Sequence, residues 1–132
     1  MAVKPIPDGY HSVTPYLLAN DASKLLDFVK AAFGATEMMR MPGEHGEVSH
    51  AEVRIGDSVV MMGQPGDGSR ATAAALYLYV EDADAAYKRA VAAGGESTEE
   101  PADQFYGDRR AAVKDPAGNT WWIATHIKDM PG

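Results

Sequence analysis

The sequence predicts an α+β fold of two βαβββ modules, whose curved mixed sheets form a cup with the helices on its outer face. Three observations predict it. The chain repeats itself: shifted by 61 residues, Asp21-Ala22 meets Asp82-Ala83, Ala31-Ala32 meets Ala92-Ala93 and Gly34 meets Gly95. Two stretches carry apolar residues at the helical period between a capping aspartate and a terminal glycine. Much of the rest alternates with period two around turns rich in Gly and Asp.

The first strand is expected at 12–19. Asn20-Asp21 then opens a helix, because a short polar side chain can accept from the orphan N–H groups of a first turn. Ala22, Leu25, Leu26, Val29, Ala32 and Phe33 line one face, and Gly34 supplies the stop. Met39 and Met41 share a strand face. Val48–Ile55 and Ser58–Met62 flank Gly56-Asp57, a dipeptide suited to a tight hairpin. The stretch 64–73 reads as a loop joining the repeats 11–63 and 74–127 within a single domain, 1–132. The second half begins with a strand at 74–80. Its helix opens at Asp82, carries Ala83, Ala86, Tyr87, Ala90 and Val91 on one face, and ends at Gly94-Gly95; Asp84 and Lys88 are spaced to pair. The segment 115–119 separates strands at 109–114 and 120–125. Each module covers one sheet face with its helix and leaves the other bare, so two modules side by side make a concave wall of the kind that binds small molecules.

Composition narrows the function. Twelve Lys and Arg against nineteen Asp and Glu give a net charge of −7, and no basic patch is present to neutralise phosphates, which argues against nucleic acid. Hydrophobic residues at 45% are ordinary for a globular chain, and thirteen glycines with eight prolines fit many short elements. The absence of cysteine removes disulfides, zinc ribbons and thiol nucleophiles together and fits a cytoplasmic setting. No apolar run suggests a signal peptide or a membrane span.

The segments YHSVTPYLLANDASKLLDFVKAAFGA, HAEVRIGDSVVMM, LYLYVEDADA, DQFYGDR and DPAGNTWWIATH together resemble the vicinal oxygen chelate superfamily, which holds glyoxalase I, bleomycin-resistance proteins and extradiol dioxygenases. The likeness runs from about Tyr10 to His126 and looks closest to a small bacterial branch compared with the phosphonate-operon protein PhnB. In metal-using members, the resemblance implies a His or Gln and a Glu from each half around a Lewis-acidic metal. The matching positions here fall on Thr14 and Ala75 in the first strands, and on Val60 or Met61 and Trp122 in the last strands. None is an imidazole or a carboxylate, and a slip of one residue brings none. The expectation is therefore a protein without the usual metal centre and with no cofactor.

Several residues qualify for the cup. Tyr16 and Tyr77 should occupy matching places in the two halves, beside Thr14 and Ala75. Trp121 and Trp122 must face opposite ways, one into the helix-side core and one into the cup. Met38, Met39, Met41, Met61 and Met62 suit either an adaptable ligand wall or ordinary core. Tyr106 lies in the densest polar and aromatic cluster, 103–109, where Asp108 and Arg109 point to opposite faces. Arg109 is suited to fork a carboxylate or phosphonate, or else to an ion pair that fixes a loop. His50 shares parity with Glu52 and faces the cup or solvent; His126 shares parity with Trp122, which makes it a rim acid or base, or a surface histidine. His45 reads as part of a solvated turn.

The expectation is a small-molecule-binding protein of this superfamily, a homodimer whose cups take an apolar or aromatic ligand through Thr14, Tyr16, Met61, Ala75, Tyr77, Tyr106, Arg109 and Trp122. The acidic balance favours neutral or cationic ligands. The alternative is a metal-dependent lyase or dioxygenase whose divalent-metal ligands have moved to His50, Glu52 or His126.

Overall fold

The computed structural model describes residues 3–66 and 70–130. Residues 67–69 of the expected connecting loop lie outside the described residues. Two four-stranded mixed sheets carry one helix each, and both halves follow the order strand, helix, three strands. In the first, β1 (Tyr16–Leu18) runs parallel to β4 (Ser58–Gly63), followed antiparallel by β3 (Val48–Ile55) and β2 (Thr36–Pro42). In the second, β5 (Ala75–Tyr79) runs parallel to β8 (Thr120–His126), followed by β7 (Asp108–Lys114) and β6 (Glu96–Asp103). The parallel pairs follow from the crossover helices α1 (Ala22–Phe33) and α2 (Ala83–Ala92), which span the sheet between the joined strands.

The helices form where capping chemistry and periodicity agree. Asp21 accepts from the Lys24 N–H and Asp82 from the Ala85 N–H, each closing a first turn. Gly34 ends α1 at φ 66°, left-handed backbone that a Cβ would resist. Two expectations for α2 are corrected. Val91 stands exposed, and the buried stripe is the narrower Ala83, Ala86, Ala90. The Asp84 carboxylate reaches across to Arg109 of β7 instead of pairing with Lys88.

One core serves both halves. Leu17, Leu25, Val29, Val53 and Met62 of the first module join Val113, Trp121 and Ile123 of the second, all fully or almost fully buried. Phe33 at the end of α1 packs against Trp121 of β8 with ring centroids 4.9 Å apart. Strand alternation then leaves the opposite face of each sheet open, away from this core. Between β1 and β5 lies a cleft of about 320 Å³ lined by Pro15, Tyr16, Leu17, Ala74, Ala75 and Tyr77. Among the described residues, no helix is long and apolar enough to cross a membrane.

β6 is the element that periodicity did not locate. It reads ESTEEPAD, it is an edge strand, and its pairing with β7 is irregular around Pro101, where a ladder donor is missing. The first strand is shorter than expected, Tyr16–Leu18 within 12–19.

Candidate functional site on the open sheet faces

Register fixes which side chains share the open face. In the second sheet Tyr77 lies beside Trp122, Trp122 opposite Ala112, Arg110 opposite Ala124, and Asp108 opposite His126. Trp121 takes the core side and Trp122 the open side. In the first sheet Tyr16 lies beside Met61 and Met61 opposite Glu52, so Tyr16 and Tyr77 hold matching registers on β1 and β5.

The centre of the second face is the Asp108 carboxylate, 1% exposed. Its Oδ2 accepts from the hydroxyls of Tyr77 (2.6 Å) and Tyr79 (2.9 Å), and its Oδ1 lies 2.9 Å from Nδ1 of His126. Burial pushes the Asp108 carboxyl up, but the hydrogen bonds from Tyr77, His126 and Tyr79 outweigh it and hold the group below its ordinary range. Burial, then the hydrogen bond to Asp108, pushes the Tyr77 phenol well up, so it stays a donor. His126 is raised because both ring nitrogens face carboxylates, Asp108 and, at 2.7 Å, Asp129.

Gly107 sets up this cluster. Its φ is 95°, and its carbonyl accepts from the N–H groups of Ile127 and Lys128, which ties the chain after His126 to the turn before Asp108. A Cβ at Gly107 would stand 2.0 Å from the Lys128 carbonyl oxygen.

A second chain of contacts holds the aromatic wall. The Tyr106 hydroxyl lies 3.0 Å from that of Tyr77 and accepts from Arg110, whose other terminal nitrogen donates to Glu99 at 2.7 Å. Glu99 also accepts from the Trp122 indole N–H at 3.2 Å. Trp122 and Tyr77 stack with centroids 6.4 Å apart and planes 27° from parallel, and Tyr79 tilts against Tyr77 at 5.3 Å. The result is a half-exposed aromatic panel beside an ionised, buried carboxylate.

The first face carries related chemistry. Glu52, 7% exposed, accepts from the Tyr10 hydroxyl and lies 2.9 Å from Nε2 of His50. A carboxylate only accepts, so Nε2 carries the hydrogen, and in the neutral ring Nδ1 accepts from Tyr16, 2.9 Å away. The hydrogen bonds from Tyr10 and His50 hold Glu52 below the usual carboxylate range despite burial. Thr14 and Met61 line a cleft next to Glu52.

The structure thus places Thr14, Tyr16, His50 and Met61 on the first open face, and Ala75, Tyr77, Tyr106, Trp122 and His126 on or beside the second. Arg109 is apart from them. It lies opposite Thr125 on the helix side, and its guanidinium forks Asp84 at 2.7 and 3.0 Å and reaches Asp103 at 3.0 Å, so it is the ion pair that joins α2 to β7. His45 is exposed in its turn. Of the methionines, Met61 and the edge pair Met39 and Met41 share the open face, whereas Met62 is core. Sequence reasoning passed over Arg110 and Glu99, although the alternation that separates Asp108 from Arg109 puts Arg110 with Asp108. Tyr10 had no signal, since it precedes the first regular strand.

The positions that the family resemblance assigns to the chelate hold Thr14, Val60 or Met61, Ala75 and Trp122, which offer a metal one hydroxyl and no imidazole or carboxylate, so these residues do not fit that centre. Among the described residues, no three His, Cys, Asp or Glu side chains converge as metal ligands.

A family model for the Glyoxalase/Bleomycin resistance protein/Dioxygenase superfamily matches residues 9–123. An uncharacterized protein of Mycobacterium bovis is 33% identical over 130 residues, covering 90% of this chain and 86% of that protein. The fold is similar to that of TioX from Micromonospora sp. ML1, with TM-score 0.77 and 24% identity over 89% of this chain and 99% of that one. It is also similar to TnmS3, an antibiotic binding protein from Streptomyces sp. CB03234, with TM-score 0.69 and 22% identity over 96% and 98% of the two chains. The chain therefore belongs to the glyoxalase/bleomycin resistance protein/dioxygenase superfamily.

Proposed function

We propose that the protein binds a planar apolar or aromatic small molecule, uncharged or cationic, on its open sheet faces, without a metal at the inherited positions. The observation that carries this reading is the panel of Tyr77, Tyr79 and Trp122 beside the Asp108 carboxylate. Aromatic faces held by hydrogen bonds at their edges offer stacking area that needs little ordering on binding, and the adjacent anion disfavours anionic ligands. That TnmS3, a protein of similar fold, is an antibiotic binding protein supports the ligand class.

The test is a titration with 2-naphthol, an uncharged planar probe, followed through the two indole N–H resonances. Saturable shifts of Trp122 with Trp121 unmoved are expected, equal with and without EDTA. Absence of saturation would remove the reading. Loss of binding in EDTA, restored by nickel, zinc or iron, would remove its metal-free part and favour relocated ligands such as His50 and His126.

A second copy of the chain completes the site in this reading. Tyr16, Met39, Met41, Tyr77 and Tyr79 all stand more than a third exposed on the open faces, more apolar side-chain surface than a lone acidic chain gains by leaving in water. A homodimer would bury part of it.

A further inference from the structure

We propose that the cleft beneath the N-terminal segment is a site for a small organic ammonium ion, with Glu52 as its counter-ion and Tyr10 as a displaceable plug. The inference rests on the reading of the open faces as ligand walls and adds a ligand class and a gate to the first of them.

The chain ahead of β1 does not run off into solvent. It crosses the open face of the first sheet and turns where the Tyr10 N–H meets the Pro7 carbonyl at 3.1 Å. Between this strap and the sheet lies a cleft of about 390 Å³, with Ile6, Pro7, His11 and Thr14 on one side and Met61 and Glu52 on the other. The Glu52 side chain is only 10% exposed.

The carboxylate is not saturated. Each oxygen can accept about two hydrogen bonds. Here Oε1 receives Tyr10 and Oε2 receives His50, and no further donor reaches them among the described residues. Against proline, isoleucine and methionine, an ionised carboxylate interacts more strongly than in water with a partner that brings charge as well as donors. An ammonium brings both, and its apolar substituent would take the Ile6, Pro7 and Met61 surface. Arg54, two residues along the same face, stands aside. Its Nη2 lies against Gly9, 3.1 Å from where a Cβ there would be, and it does not line the cleft. Besides Glu52, the titratable side chains at the lining are Tyr10 and His11, and His50 meets Glu52 from the sheet.

Tyr10 provides the gate. Its hydroxyl bond to Glu52 is the one side-chain hydrogen bond that joins residues 3–13 to the sheet among the described residues. A donor that competes for the Oε1 position of Tyr10 therefore removes the strap's one side-chain hydrogen bond to the sheet. The second face has no equivalent, because Asp108 already receives three donors and is sealed by Tyr77 and Tyr79.

The experiment compares benzylammonium, benzyl alcohol and benzoate by calorimetry and by Met61 methyl shifts, at about pH 8, above the ordinary histidine range. Benzylammonium is expected to saturate at least about tenfold more tightly than the alcohol, and benzoate not to bind. Glu52→Gln should bring benzylammonium to the level of the alcohol. Tyr10→Phe, which keeps the charge and removes the hydroxyl that competes for Glu52, should tighten it several-fold, and it carries the test if the Glu52 variant does not fold. Equal affinity for ammonium and alcohol overturns the proposal, as does an affinity indifferent to both substitutions. Shifts at Trp122 with Met61 unmoved would sink it while leaving the aromatic-panel reading intact. The reverse failure, of 2-naphthol alone, would sink that reading instead.

Discussion

Asp108 shows how much one residue can organise. Its carboxylate is nearly sealed from water and is tolerated because two phenols and an imidazole donate to it. Asp108→Ala leaves those donors unpaired and is expected to cost about 2 kcal/mol or more in urea denaturation. The pH dependence has two limbs. His126 titrates above its ordinary value of 6.5 when folded, so the stability it contributes is complete below 6.5 and fades as pH rises through the raised value. Asp108 titrates below its ordinary 3.8, so its contribution is present above 3.8 and fades as pH falls through the lowered value. Melting temperatures across the neutral to mildly alkaline range should decline, and His126→Gln should flatten that slope; an unchanged slope would refute the Asp108–His126 coupling. Gly107→Ala forces a Cβ onto the Lys128 carbonyl from a backbone already at φ 95°, and is expected to lower the melting temperature and disperse the His126 resonances.

At the scale of elements, two aspartates separate an ornamental ion pair from a structural one. Asp84 joins α2 to β7 through Arg109 with both side chains more than a third exposed, so solvent screens the pair and Asp84→Ala should change stability little. Asp115 is buried in the turn between β7 and β8 and accepts from Ala117, Asn119 and the Trp121 indole, while Asn119 passes the connection on to the Ala74 N–H at the start of β5. Asp115→Ala should cost about 3 kcal/mol or more, since several buried donors lose their partner at once. Comparing the two variants by urea denaturation checks the ranking. The same elements show what was legible in sequence. The caps Asp21 and Asp82, the period of α1, the hairpin at Gly56-Asp57 and the turn 115–119 are local signals, and each is found where the chain predicted it. β6 was not legible because an edge strand has one ladder to satisfy and can be written in charged residues. The site was half legible. Parity paired Tyr16 with Tyr77 in register and separated Trp121 from Trp122, yet it could not say which of Asp108 and Arg109 turns toward the open face. That choice depends on α2, whose Asp84 captures Arg109, and on the tyrosines of β5, which need an acceptor.

At the scale of the molecule, the charge of −7 and the exposed apolar side chains pull in opposite directions. Like charge keeps copies apart, and the bare faces draw them together. If the homodimer proposed above uses those faces, sedimentation equilibrium should report two copies at micromolar concentration, with the association strengthened by salt as repulsion is screened. Met41→Glu, at an exposed apolar side chain on the edge of the first face, should shift it to monomer while leaving the stability of the monomer within about 0.5 kcal/mol of the parent's. A persistent monomer would remove the dimer from the functional reading.

The core shared across the halves has a consequence of another kind. Because Phe33 of one repeat packs on Trp121 of the other, neither repeat owns an interior, and changes to the helix side must be negotiated by both. The two outward faces carry no such shared obligation, since Tyr16, Tyr77 and Trp122 bond to side chains of their own half. The molecule therefore has one shared interior surface and two separable outer ones. A library randomised at open-face positions outside the Asp108, Glu52 and Arg110 hydrogen-bond networks should retain folding in most members, and a library of equal size built on the helix face should not.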